Sequence, residues 1–156
     1  MKLILGLGNN SPEYKNTYHN VGFLMLDYLK TQNIDLPLLK LTGFMNKAGK
    51  DAAKALKKYK LAPEDLLVIH DDSDIPLGEY KFSNNRGSAG HKGVQNILDV
   101  LGTNKFSRLR IGIRPLETIE HIKAEDFVLE NISKTNLEIL ENVFVQAREE
   151  LKILNK

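Results

Sequence analysis

Cysteine is absent from this 156-residue chain. Without it neither a disulfide framework nor a thiolate metal site can be built. The absence fits a reducing compartment, and a cytoplasmic location is the expectation. Long apolar runs are missing as well. The first eight residues are too few for the apolar centre of a secretory signal and lead directly into polar sequence. No later run approaches the ~20 residues needed to cross a bilayer, so no membrane association is expected. Charge of one sign is also scarce. The 22 basic and 20 acidic residues leave a net +2, which permits a nucleic-acid partner without demanding one. No linker, repeat or low-complexity segment divides the chain, and one domain over residues 1–156 is expected, long enough to bury a core.

What is present is an alternation of short apolar segments. Residues 2–7 form a run closed by glycine and asparagine, as suits a buried first strand. Val21, Leu24, Met25, Tyr28 and Leu29 recur at helical spacing, and residues 38–41 read as a second strand. Ala48, Ala52, Ala55, Leu56 and Tyr59 mark one face of a second helix. The Pro63 turn feeds a strand over residues 66–69 that ends at His70, and residues 79–82 suit another. After the glycine-rich residues 84–93, Val94, Ile97, Leu98 and Leu101 continue as a helix, and Leu109, Ile111 and Ile113 alternate as a strand. The last helix is expected to open at Thr135, with Glu138 completing a capping box. It would bury Leu137, Leu140, Phe144, Ala147, Leu151 and Leu154. Strands alternating with helices predict a single three-layer α/β/α domain around a twisted, mostly parallel mixed sheet.

In such sheets ligands sit beyond the carboxyl ends of the strands. Asn9, Asn46, and the pair His70 and Asp71 follow the first, second and third strands, and His19 is expected to cap the first helix from the same side. Asp71 is placed to accept a hydrogen bond from one His19 ring nitrogen, fixing the tautomer and leaving the other basic. Asn9 and Asn46 offer both donor and acceptor and suit an oxyanion or an amide, whereas turn chemistry is enough to explain Asn10 and Asn84. Phe44 and Met45 are either core residues or a wall for a bound peptide.

Other motifs exclude more than they assign. Residues 6–11 lack the third glycine of a dinucleotide loop, Ser11 standing in its place. Asp71, Asp72 and Asp74 cluster, but the calcium-loop pattern is not satisfied, and neither a metal nor a cofactor is expected. Residues 85–93 lack Walker spacing, although Arg86, Lys92 and a helix start there could hold an anion. Lys47, Lys50, Lys54, Lys57 and Lys58 lie on one side of the second helix. The ordinary reading of such a stripe is a solvated face, yet with Lys81, Arg86, Arg108, Arg110 and Arg114 it supplies enough cations to follow a phosphate backbone.

Taken together, several blocks resemble the bacterial peptidyl-tRNA hydrolases: residues 6–9, Tyr14, residues 17–22, 38–40, 44–49, 70–78, 86–91, 106–113 and 127–129, in family order and over most of the chain. The resemblance implies hydrolysis of the ester bond of peptidyl-tRNA. His19 would be the general base, Asp71 its support, and Asn9 a discriminator of blocked from free aminoacyl groups. Asn46 would orient the peptide, with Tyr14 and Phe44 lining the site and His91 and Lys92 contacting substrate. Lys81 and Arg110 would hold the 5′ phosphate of the tRNA, with Arg86 compensating for Ser83 where a second lysine is usual. A monomer is implied. The departures are Asn10 and Ser11 after Asn9, Lys92 where an asparagine is expected, a shortened region before Phe44, and no basic tail. Lys92, Ser83 and the two shortenings motivate a rival, a non-catalytic RNA-binding protein on the same fold. A nucleotide-binding enzyme of the doubly wound class is a third reading.

Overall fold

Along β1 (Leu3–Gly6) the side chains alternate between two separate hydrophobic cores, Leu3 and Leu5 entering one and Ile4 the other. In this computed structural model, which describes residues 1–116 and 123–155, β3 (Leu66–Pro76) repeats the pattern. Leu66 and Val68 join Leu3 and Leu5, while Leu67 and Ile69 join Ile4. A central strand buried on both faces needs an unbroken apolar run, which is why 66–69 shows no polar alternation. With β2 (Leu38–Lys40), β4 (Tyr80–Asn84) and β5 (Ser107–Arg114), these strands form one sheet in the order β2-β1-β3-β5-β4. All neighbours run parallel except β4, which closes one edge antiparallel to β5.

Helices α1 (Val21–Thr31) and α4 (Lys134–Leu154) cover the face reached by Ile4, and α2 (Ala48–Tyr59) and α3 (Lys92–Leu101) cover the other. The three-layer α/β/α arrangement and the mostly parallel mixed sheet are as the sequence predicts. β5 is apolar on one side only. The alternation that sends Leu109, Ile111 and Ile113 into the α1/α4 core turns Arg108 and Arg110 to the opposite face. There Arg110 is in register with His70 of β3.

Several boundaries move. β3 does not end at His70 but runs on to Pro76, with an irregularity between Asp72 and Pro76. His70 and Asp71 still lie beyond β1, whose line ends where the Leu7 N–H donates to the Ile69 carbonyl at 2.9 Å. The cap of α4 is Ser133, whose side chain accepts from the Asn136 N–H, rather than a box built on Thr135 and Glu138. Leu154 is exposed and Val143 takes a place in the buried stripe. In α1, Phe23 and Leu26 are buried, while Leu24 and Tyr28 are only partly so.

One glycine sets the site. A Cβ on Gly22 would come within 2.5 Å of the Ile69 carbonyl oxygen and 2.6 Å of that of Leu7. Only a residue without a side chain lets the start of α1 rest directly on the ends of β1 and β3. His19 lies three residues before that contact and Asp71 two residues after Ile69.

Candidate active site

His19 does not cap α1; it sits in a single 3-10 turn (Tyr18–Asn20) that leads into the helix. Its backbone N–H donates to the Val128 carbonyl at 2.7 Å, and Phe127 beside that anchor is buried in the core. From this turn the His19 Nδ1 lies 2.8 Å from Asp71 Oδ2. An ionised carboxylate only accepts, so Nδ1 carries the proton and the Nε2 lone pair is left uncommitted. The histidine side chain is 22% exposed against 4% for Asp71, so the base meets solvent and the acid does not.

The other carboxylate oxygen is also taken. His91, the residue before α3, places Nε2 2.8 Å from Asp71 Oδ1. Its Nδ1 accepts from the amides of Gly93 at 3.1 Å and Val94 at 3.3 Å, which leaves Nε2 as the protonated nitrogen. Asp71 is thus gripped by two imidazole N–H donors whose rings lie 5.4 Å apart.

Burial works to lower the His19 pKa, but the Asp71 charge and its hydrogen bond outweigh burial and hold it above the ordinary value, with the Lys92 charge pulling the other way. Burial alone would raise the Asp71 pKa; His91 and His19 overcome it and keep the acid ionised, well below the usual carboxylate range. His70, wholly buried behind them, is pushed down to about 3 by burial, with His91 adding to the effect, and is neutral.

These groups open onto a cleft of about 410 Å³ lined by His19, Asp71, His91 and Lys92 on one side and by Ala124, Glu125, Val128 and Leu129 on another. His19, Asp71 and His91 bring their ligand atoms within 4.8 Å of one another, a spacing a metal could bridge. The proton positions disfavour it, because the His91 nitrogen that faces the cluster is the protonated one. Asp72 is paired with Arg110 at 2.8 Å, and Asp74 is exposed, so the three neighbouring carboxylates do not converge.

A histidine held by a buried acid at the mouth of a cleft is the geometry of a general base. The comparisons with known proteins name a family built on this fold. The Peptidyl-tRNA hydrolase family model matches residues 3–156. The chain belongs to the peptidyl-tRNA hydrolase family. A peptidyl-tRNA hydrolase of Lactobacillus gasseri is 45% identical over 73% of this chain and 72% of its own length. That of Pseudothermotoga lettingae is 36% identical over 99% and 90%. The crystal structure of the peptidyl-tRNA hydrolase of Acinetobacter baumannii superposes with a TM-score of 0.84 at 30% identity, covering 99% of this chain and 88% of that one.

Against this family background, the residues singled out in the sequence fall into three groups. His19, Asp71, His91 and Lys92 converge on the cleft. Asn9, Tyr14, Phe44 and Asn46 do not line it. Asn46, on the 3-10 turn (Met45–Lys47) that precedes α2, is exposed, and Phe44 just before that turn is 60% exposed. Met45 nevertheless packs near Gly93, at the start of α3. The Asn9 side chain accepts from the Ser11 N–H at 2.9 Å. The third group lies across the sheet. Lys81 is in register with Arg110 on β4 and β5, and Arg86 is exposed in the loop after β4. Arg110 is buried, donating through Nε to Asp72 and through Nη1 to Ser83 at 3.1 Å. Arg108 is 2% exposed and is no surface cation.

Sequence reasoning missed Asn20. Its amide clamps the Asn9 backbone from both sides, accepting the Asn9 N–H at 2.8 Å and donating to the Asn9 carbonyl at 2.9 Å. It is 2% exposed and adjoins His19 in the chain, so it ties the strand exit to the turn that bears the base. Its position beside Val21 at a helix start was the available signal.

Proposed function

We propose that His19, oriented by Asp71, is the general base with which this peptidyl-tRNA hydrolase cleaves the ester joining peptide to tRNA. Family membership supplies the reaction, which releases the peptide and free tRNA. The observation that carries the assignment of roles is the 2.8 Å hydrogen bond from His19 Nδ1 to a buried carboxylate, which leaves Nε2 unprotonated and facing the cleft. Water bound at Nε2 gives up a proton as its oxygen attacks the ester carbonyl. The imidazolium that forms is stabilised by the Asp71 charge beside it. Collapse of the tetrahedral intermediate expels the tRNA oxygen, which takes the proton back from His19, and base and acid return to their starting states.

In this reading asparagine amides stabilise the oxyanion, with Asn9 as a candidate because Asn20 ties its backbone to the turn that bears His19. Asn46, Tyr14 and Phe44 contact the peptide where it extends beyond the cleft, and His91 and Lys92 contact substrate from the start of α3. Lys81, Arg86 and Arg110 meet the tRNA phosphates, Arg110 through the nitrogen left over from its contacts with Asp72 and Ser83. The protein needs no cofactor or metal for these steps and acts as a monomeric single domain in the cytoplasm. Among the described residues no helix is long and apolar enough to cross a membrane.

The test is turnover of N-acetylated aminoacyl-tRNA. Wild-type protein should release the acylated amino acid, and His19→Ala should lose ~10²–10⁴-fold in rate while still retarding tRNA. Retardation without release by the wild type would leave an RNA-binding protein in place of an enzyme.

A further inference from the structure

We propose that Arg108 and His70 are a positioning pair for the hydrolytic reaction, holding Asp71 and the glycine-rich loop at the angle His19 requires. The proposal rests on the assignment of His19 and Asp71 above. Arg108 is 2% exposed, and among the described residues no carboxylate lies within ion-pairing distance of it; Asp72, the acid whose charge favours it, is paired with Arg110. Arg110 and Arg86 both repel its charge. A guanidinium in so poor an electrostatic setting is kept for its hydrogen bonds.

There are two of these. Nη2 donates to the Gly87 carbonyl at 2.7 Å, and Nη1 makes a long contact of 3.5 Å to His70 Nε2. An arginine cannot accept, so Nε2 must be the unprotonated nitrogen of His70 and Nδ1 the protonated one. Nδ1 donates to the Asp71 carbonyl at 2.7 Å. That carbonyl lies past the end of β1 and has no strand amide there to pair with, so His70 supplies the donor the sheet lacks. The His70 ring also meets the His91 ring edge-on, 4.8 Å between centroids. Gly87 in turn belongs to the loop that ends at His91.

Asp71 is thereby fixed at three points, by His19 and His91 through its carboxylate and by His70 through its backbone, and Arg108 braces both His70 and the loop bearing His91. The acidic neighbours of His19 are Asp71 and, across the cleft, Glu125; its cationic neighbour is Lys92, and His91 turns an N–H toward the shared carboxylate. Of these, the pair controls Asp71.

Three variants test this. His70→Asn places an amide N–H where Nδ1 stood but cannot reach Arg108, whereas His70→Leu removes both functions. Arg108→Met keeps the bulk of the side chain without its donors. In single-turnover assays on N-acetylated aminoacyl-tRNA, His70→Leu and Arg108→Met should lower the chemical rate roughly tenfold to a hundredfold with little change in KM, the scale expected for a misplaced reacting group. The acid limb of their pH profiles should also move to lower pH as the Asp71 contact to His19 loosens. His70→Asn, which keeps the donor to the Asp71 carbonyl but loses the contact to Arg108, should fall between His70→Leu and wild type in both rate and limb. If His70→Leu does not fold, Arg108→Met and His70→Asn decide the matter. Unchanged rate and pH profile in Arg108→Met, or a His70→Asn protein indistinguishable from wild type, overturns the pair. Absence of turnover by the wild type would instead overturn the enzymatic reading on which it rests.

Discussion

Replacing Asp71 by asparagine should do more than remove a charge: it should put the proton of His19 on the wrong nitrogen. The reason lies in His91. Its Nδ1 accepts two backbone N–H groups, so its Nε2 must remain a donor, and an amide at position 71 must turn its oxygen toward it. The amide NH2 then faces His19 Nδ1, where Asp71 Oδ2 now accepts at 2.8 Å. To meet a donor, Nδ1 must become an acceptor, which moves the proton to Nε2, the nitrogen that has to take it from water. The whole general-base contribution is forfeited, ~10²–10⁴-fold in rate. Keeping the old tautomer would set two N–H groups against each other, leaving a buried donor unsatisfied at a cost of ~1–3 kcal/mol, which still favours the wrong form. Single-turnover release from N-acetylated aminoacyl-tRNA measures the rate, and ring-nitrogen NMR shifts report the tautomer. His91→Leu should release the amide to flip, so Asp71→Asn should cost less in that background than alone. An equal cost in both backgrounds, or an Asp71→Asn protein whose His19 still carries its proton on Nδ1, refutes the reasoning.

Because the base must be unprotonated to act and Asp71 holds its pKa above 6.5, activity should rise with pH through a midpoint on the alkaline side of 6.5. A kcat/KM profile with its acid limb below that value would contradict this. His70 behaves oppositely toward stability. Its folded pKa of about 3 lies below its unfolded value of 6.5, so its contribution is present above 6.5 and is lost as the pH falls toward 3. Urea titrations should show wild-type stability falling relative to His70→Asn by up to ~1.4 kcal/mol per pH unit below pH ~6.5; parallel curves would contradict the buried neutral state. Gly22→Ala should destabilise the fold by ~1–3 kcal/mol or more, since the new methyl meets backbone oxygens that cannot yield. A neutral result in denaturant melts would mean α1 sits farther from the strands than described.

The layers of the fold were legible because the alternation from Leu109 to Ile113 states which face each residue turns, while the unbroken run at Leu3 to Leu5 marks a strand buried on both. The His19 and Asp71 pair could be anticipated from strand ends alone. The second grip of His91 on Asp71 could not, because it depends on a tautomer set by the amides of Gly93 and Val94, and no residue type encodes that. Arg108 looked like surface charge for a related reason. Periodicity puts it opposite Leu109, but nothing local says that this side of β5 is covered. The cap of α4 went to Ser133 because serine and threonine at neighbouring positions compete for the same role, and chain direction into the helix decides between them.

The contact at Gly22 has a bearing on how such proteins diverge. Helix and strands touch there through main chain alone, so the spacing of base and acid does not depend on which apolar side chains fill the layers behind them. The layers behind the site can therefore be repacked with other apolar side chains while one imidazole is still presented to one carboxylate at the same separation.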